Sequence, residues 1–483
     1  MTQSTRFKLC AAVVLTGLMI CLAELQARQN SDARVLPTDA DIRKILAERV
    51  DTIGGREDGF GIVVGVIEPQ GSRVVSYGHR SLGDARPLDG DTGFEIASVT
   101  KTFTALLLAD MVQKGEVVLT DPVAKYLPAG VKVPERNGRS ITLLDLATHT
   151  SGLPFMPGEP SASDDSAAKY GAPQIYQFLG RFQLTRDPGA EWDYSNIGYW
   201  LLGQALASRA RMAYENLLLT RVIAPLKLKN TAITLSPTMH ANLAVGHDAA
   251  LQPAPLLSTL PMYAGMSTVL NLDSTANDLL KLLSVSMGYE SSPLAPAMAA
   301  MLRTHRPMQP GVEQALGWVV IREGDDQLIF HDGGSLGFAT AVAWDPKKRV
   351  GVVVLSNQVT SVSDIARHLL RPNVPLEKPA AAKHVEITLD SAVLDTYTGR
   401  YEAQGEGIFT ITREGTFLTI QFPADWGLPK LRLRPESQRD FFASELPLRV
   451  TFQAGDDGQV NRLLVHPPRG QQAVLAHRIA SNH

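Results

Sequence analysis

The chain is nearly without cysteine. Of its 483 residues only Cys10 and Cys21 are cysteines, and both lie close to the start. Everything beyond them lacks a thiol, which excludes a disulfide framework from the body of the protein. Long apolar runs are also missing. After Leu9 to Ala23 no stretch is long and apolar enough to span a bilayer. Charge of one sign is missing too: 46 Lys and Arg stand against 49 Asp and Glu, for a net charge of −3. No basic field is left to hold nucleic acid. The one compact basic cluster, Lys347-Lys348-Arg349, reads as a hairpin turn. No His, Cys, Asp or Glu spacing resembles a metal site, and no glycine-rich phosphate loop follows a strand. No metal or cofactor is therefore expected. What is present is a globular composition, 44% hydrophobic and 20% charged, in a chain too long for one typical domain.

The first residues carry location. Arg6 and Lys8 form a positive start, Leu9 to Ala23 an apolar centre, and Ala27 a small residue for cleavage. Residues 1–27 read as a secretory signal peptide, which predicts a periplasmic or secreted protein. Ile20 is bulky where a lipoprotein signal wants a small residue before its cysteine, Cys21. Membrane association is expected only through this N-terminal segment.

Ser98-Val99-Thr100-Lys101 is the most informative motif. Residues i and i+3 share a helix face, so the Lys101 amine can reach the Ser98 hydroxyl. A serine is a weak nucleophile until a neighbouring base takes its proton, and a lysine amine can be that base once burial favours its uncharged form. Val99, Phe103, Leu106, Leu107 and Val112 follow, with Gly115 as a stop, predicting a helix with one buried face. Ser98 then sits near a helix N-terminus, where the dipole favours developing negative charge. A second copy, Ser166 to Lys169, falls in a polar stretch that reads as a loop.

Two further motifs follow in order: Tyr194-Ser195-Asn196, then His331-Asp332-Gly333-Gly334. Tyr214-Glu215-Asn216 repeats the first pattern inside a helical segment. Ser-x-x-Lys, Tyr-x-Asn and His-x-Gly in this order resemble the class C β-lactamase and DD-peptidase family of serine hydrolases. The runs Asp121 to Pro128 and Leu146 to Leu153 match the same family, and the resemblance covers residues 40 to 370. It implies Ser98 as nucleophile and Lys101 and Tyr194 as the proton-moving pair, without deciding which takes the serine proton. It implies that Asn196 meets a substrate amide or orients Lys101. It makes His331 the third-motif residue, where many members carry Lys, and places the oxyanion between the Ser98 and Gly334 amides. Gly333 and Gly334 let a strand edge come close to substrate. Asp332 departs from the family's small hydroxyl residue; facing the substrate, it would repel a carboxylate and attract an amine. His149, between Thr148 and Thr150, is expected to shape a loop.

Residues 38–53 carry helical periodicity; 60–67 and 73–77 read as paired strands, and strands return at 327–331, 338–344 and 350–355. Terminal strands with helices between them predict an α+β fold, an antiparallel sheet flanked by helices plus a helical subdomain. Pro372 to Lys383 read as an extended linker. Eight short β-rich runs beyond it suggest an up-and-down barrel, similar to the lipocalin-like domains appended to this family, serving for packing or specificity or holding a ligand. The expected layout is signal peptide 1–27, hydrolase domain 38–370, linker 371–384 and barrel 385–483. The expected activity is serine acyl transfer on β-lactam, D-amino-acid peptide or ester carbonyls, the substrate being a small molecule or peptide such as a peptidoglycan fragment. The alternatives are a class-C-like esterase or D-aminopeptidase, and a penicillin or peptide sensor without turnover.

Overall fold

The computed structural model describes residues 35–53, 59–84, 86–156, 171–249, 251–259, 270–324, 326–378, 386–423, 428, 430–443, 448–455, 459–466 and 473–479. The expected signal peptide and the second Ser-x-x-Lys copy lie outside the described residues, as does part of the expected linker.

Helix α1 (Asp39–Ile53) opens the described chain. Thr38 begins it: its Oγ1 accepts from Asp41 N, and Asp41 Oδ2 accepts from Thr38 N, so two helix-start donors are satisfied reciprocally. Ile42, Leu46 and Val50 then line one buried stripe, as their spacing predicts. Strands β1 (Gly61–Glu68) and β2 (Gly71–Gly78) form the expected hairpin.

Helices α2 (Thr100–Gln113), α3 (Asn196–Ala210) and α4 (Ala276–Ser286) follow. The chain then returns to the sheet with β3 (Arg306–Gln309), β4 (Val312–Gln314), β5 (Val319–Glu323), β6 (Asp326–Gly334), β7 (Ala339–Asp345) and β8 (Val350–Ser356). The eight strands run antiparallel in the order β2-β1-β8-β7-β6-β5-β4-β3. Sequence reading predicts β6, β7 and β8 but not β3 to β5. The turn at Lys347 and Lys348 is as expected, both amides donating to Asp345 Oδ1 at 2.9 Å.

Strand alternation sends side chains to two cores. On one face Val63, Ile329, Val342, Val353 and Leu355 join a core with α2 and α4. On the other, Ile62, Val64, Ala341, Val352 and Val354 pack with α1 and helix α5 (Ser363–Leu370). The predicted single buried face of α2 is corrected here. Every residue from Thr100 to Met111 is buried, so the helix runs through the core rather than along its edge.

A short helix, α6 (Ser391–Tyr397), precedes eight further strands: β9 (Gly399–Ala403), β10 (Gly407–Glu414), β11 (Phe417–Gln421), β12 (Leu431–Pro435), β13 (Asp440–Ala443), β14 (Leu448–Ala454), β15 (Val460–His466) and β16 (Val474–Ile479). Each pairs with the next and β16 closes on β9, giving an up-and-down barrel. The α+β fold with a C-terminal all-β barrel is thus as read from sequence; α6 is an addition. Tyr401, Phe409, Ile420, Leu433, Phe441 and Phe452 fill the barrel interior.

Candidate active site

Ser98 sits in a single 3-10 turn, Ala97–Val99, that runs directly into α2. Ala97 before it adopts φ +45°, a left-handed conformation that an alanine holds only under constraint from its surroundings. The constraint comes from the sheet: Thr340 Oγ1 on β7 donates to Ile96 O at 3.1 Å. Gly333, opposite Thr340 in the register, leaves room for the turn. A Cβ there would lie 2.4 Å from Ile96 O and 3.0 Å from Ser98 N.

Three of the residues predicted from sequence converge. Lys101 Nζ lies 3.1 Å from Ser98 Oγ, and Tyr194 OH lies 2.9 Å from the same oxygen. The Lys101 ammonium position is 4.9 Å from the Tyr194 ring centroid and 5.9 Å from that of Tyr199. Lys101 is fully buried and Ser98 is 6% exposed. A buried amine, a nearly buried hydroxyl and a half-buried phenol therefore meet, with the serine oxygen between the other two.

Tyr194 is carried on the segment entering α3. Ser195 caps that helix, its Oγ accepting from Gly198 N at 2.9 Å and donating to Pro154 O at 2.7 Å. Asn196 is the first residue of α3; its N–H donates to Phe155 O. Its Nδ2 contacts Met156 Sδ at 3.7 Å, and its buried Oδ1 has no hydrogen-bond partner among the described residues. Phe155 packs against the Tyr194 ring, 6.0 Å between centroids, and is 37% exposed.

His331 lies on β6 on the same sheet face as Gly333. Its Nδ1 is 2.7 Å from Asp332 O. A carbonyl only accepts, so Nδ1 carries the proton, and in the neutral ring Nε2 is an acceptor. The pairing of β6 with β5 ends at Phe330, whereas its pairing with β7 continues to Gly334. Residues 331 to 334 thus present one strand edge that β5 does not cover. Ser335 N–H donates to Phe338 O on the β7 side, so the alternating amide of Gly334 points to the uncovered edge.

Asp332 lies on the opposite face from His331 and Gly333. Adjacent strand residues face opposite ways, and Asp332 pairs with Ala341 on the face covered by α5. Its Oδ2 accepts from Ser363 Oγ at 2.9 Å. Its carboxylate is thus held on the α5 side of the sheet. Tyr214, the tyrosine of the repeated motif, is a core residue bonded to Thr104 Oγ1 at 2.6 Å.

Residues 42–372 match the family model described as Beta-lactamase. The chain belongs to this family. It is 31% identical over 391 residues to the D-alanyl-D-alanine-carboxypeptidase/endopeptidase AmpH of Escherichia coli strain K12, covering 76% of this chain and 99% of that one. It is 26% identical over 460 residues to Penicillin-binding protein 4* of Bacillus subtilis strain 168, covering 89% and 98%. Among solved structures it resembles a β-lactamase/D-alanine carboxypeptidase from Yersinia pestis, with TM-score 0.55, 27% identity and coverage of 67% of this chain and 93% of that one. A class C β-lactamase from Rhodobacter sphaeroides shares the fold at TM-score 0.57 and 24% identity, covering 68% and 97%. Residues 383–477 match a domain of unknown function, DUF3471. The protein is a serine hydrolase by family. Among the described residues no group of three or more His, Cys, Asp or Glu could hold a metal ion, and no helix is long and apolar enough to cross a membrane.

Proposed function

We propose that the protein hydrolyses D-alanyl peptides of the cell wall through an acyl-enzyme on Ser98, with β-lactams and small esters reacting by the same chemistry. The observation that carries this is the serine oxygen held between Lys101 Nζ at 3.1 Å and Tyr194 OH at 2.9 Å. Either partner, once deprotonated, takes the Ser98 proton as the oxygen bonds to the carbonyl carbon. The carbonyl oxygen becomes an oxyanion facing the Ser98 and Gly334 amides. One such donor is typically worth roughly 3 kcal/mol in the transition state. The same proton then passes to the leaving amine as the C–N bond breaks, and water releases the acyl group by the reverse route. The His331 Nε2 edge and the uncovered β6 edge line the side where substrate would bind. D-alanyl peptides rank first because AmpH, similar over 99% of its own length, carries that specificity in its name. The signal-like residues 1–27 support a periplasmic or secreted location.

Intact-mass spectrometry with benzylpenicillin tests the reading. A penicillin-mass adduct mapping to Ser98 and absent in Ser98→Ala is expected. Its slow release marks a peptidase and its rapid release a β-lactamase. Unchanged acylation or ester hydrolysis in a folded Ser98→Ala variant overturns the assignment of the nucleophile.

A further inference from the structure

His149 is assigned no part in the proton transfer above, yet it touches Tyr194 from several sides. Its ring stacks on the Tyr194 ring with 4.3 Å between centroids and 26° between planes. Its Nδ1 accepts the Ser195 N–H at 3.1 Å, and its own carbonyl accepts the Asp193 N–H at 2.7 Å. One residue thus grips the backbone on both sides of Tyr194 and lies flat against its side chain. Tyr199 and Trp192 close around the imidazole at 4.9 Å and 6.3 Å. His149 is 1% exposed.

The backbone there is held at φ +57°, a left-handed conformation that strains a residue with a Cβ. The surrounding turn enforces it. Thr148 and Thr150 share a hydroxyl bond of 3.0 Å, Thr150 N donates to Asp145 O at 2.8 Å, and Thr142 with Asp145 forms a capping box on the preceding short helix. The strain is concentrated on the residue that aims the phenol, which motivates a functional reading.

We infer that His149 is a positioning residue for the reaction: its neutral ring and acceptor nitrogen fix the Tyr194 hydroxyl on Ser98 Oγ. Accepting from Ser195 N–H requires an unprotonated Nδ1. Burial, and the neighbouring charges of Lys101 and His331, hold the imidazole well below its ordinary titration range, so the acceptor persists through neutral pH. Tyr194 and Tyr199 are the other titratable groups against the ring.

The inference rests on Ser98 as nucleophile and Tyr194 as proton carrier, and its test separates the two. The probe is p-nitrophenyl acetate, followed by p-nitrophenol release from the full chain. His149→Asn keeps an acceptor near the Nδ1 position and tolerates the left-handed φ but removes the stacked ring. His149→Phe keeps a ring and removes the acceptor. Each is expected to lower kcat about 10- to 100-fold with KM little changed, the scale of a misplaced catalytic group. Adding Tyr194→Phe to His149→Asn is expected to cost far less than Tyr194→Phe alone, because both act through one hydroxyl. A folded His149→Asn enzyme with the parent kcat, or with a loss fully additive to that of Tyr194→Phe, overturns the inference. If Ser98→Ala or Tyr194→Phe leaves the parent activity unchanged, the site assignment itself has failed.

Discussion

Glu95, three residues before Ser98, faces Asp273 across a two-stranded ladder in the core. Cross-strand neighbours lie within about 5.5 Å at Cβ, so two ionised carboxylates there would repel in a poorly solvated place. Burial pushes the Glu95 carboxyl up to about 7, and burial together with Glu95 raises Asp273 well above its ordinary value. The folded protein therefore holds a proton that the unfolded chain has released. Its stabilising effect is complete below about 4.5, the ordinary Glu value, and is lost as pH rises through about 7. Denaturant titrations from pH 4 to 8 are expected to show stability falling through this window, less steeply in Glu95→Gln, whose amide can still accept the Leu257 N–H at Oε1. A profile identical to the parent's would contradict the raised carboxyl. At this scale the sequence was legible where chemistry needs a fixed spacing. Ser98 and Lys101 announce themselves by i, i+3, and Tyr194 by its order in the chain. Asp332 lies on the face opposite His331, a placement that period two already implies. His149 was legible only as a loop-shaping residue, since the sequence does not show that its turn, 45 residues before Tyr194, comes alongside that ring.

Helices α1 and α5 meet on the sheet face away from Ser98, joined by a buried ion pair between Arg49 and Asp364. Arg49 also donates to Ser361 O at 3.0 Å and Glu377 O at 3.1 Å, while Asp364 Oδ2 accepts Glu377 N–H at 2.8 Å. Both Arg49 Nη atoms and both Asp364 oxygens are used, so removing one partner strands the other's charge. Asp364→Ala is expected to cost about 3–5 kcal/mol in chemical denaturation, the usual range for breaking a buried pair. Ser98 labelling per folded molecule should be unchanged, because the sheet separates the pair from the site. A loss below 1 kcal/mol would mean that water reaches Arg49. Helix α1 was readable because its apolar stripe is regular. Strands β3 to β5 were not: they are short, half-exposed and interrupted by Pro307, so neither alternation nor length marks them. The full burial of α2 was hidden as well, since Thr100, Thr102 and Thr104 are polar residues and only the structure shows them in the core.

Among the described residues the apolar side chains form separate cores, two on the faces of the large sheet and one inside the barrel. The eight barrel strands were legible as short runs between Gly, Pro and Asp, but the filling of the barrel was not, because inward and outward residues are told apart only after closure. Tyr397 of α6 stacks on Phe452 at 4.4 Å, Tyr401 OH donates to Tyr397 O at 2.8 Å, and Phe441 meets Phe452 edge-on at 5.3 Å. These rings belong to the apolar core of the barrel. None of them belongs to the cores around Ser98. Phe452→Ala should therefore destabilise the barrel by about 3–5 kcal/mol, the usual range for removing a buried ring. Following heat unfolding by circular dichroism while assaying Ser98 labelling at each temperature distinguishes two cases. A lower first transition with labelling retained through it means that the cores melt independently. Loss of labelling in step with that transition means that the barrel supports the site, and the hydrolase then depends on contacts beyond its own cores.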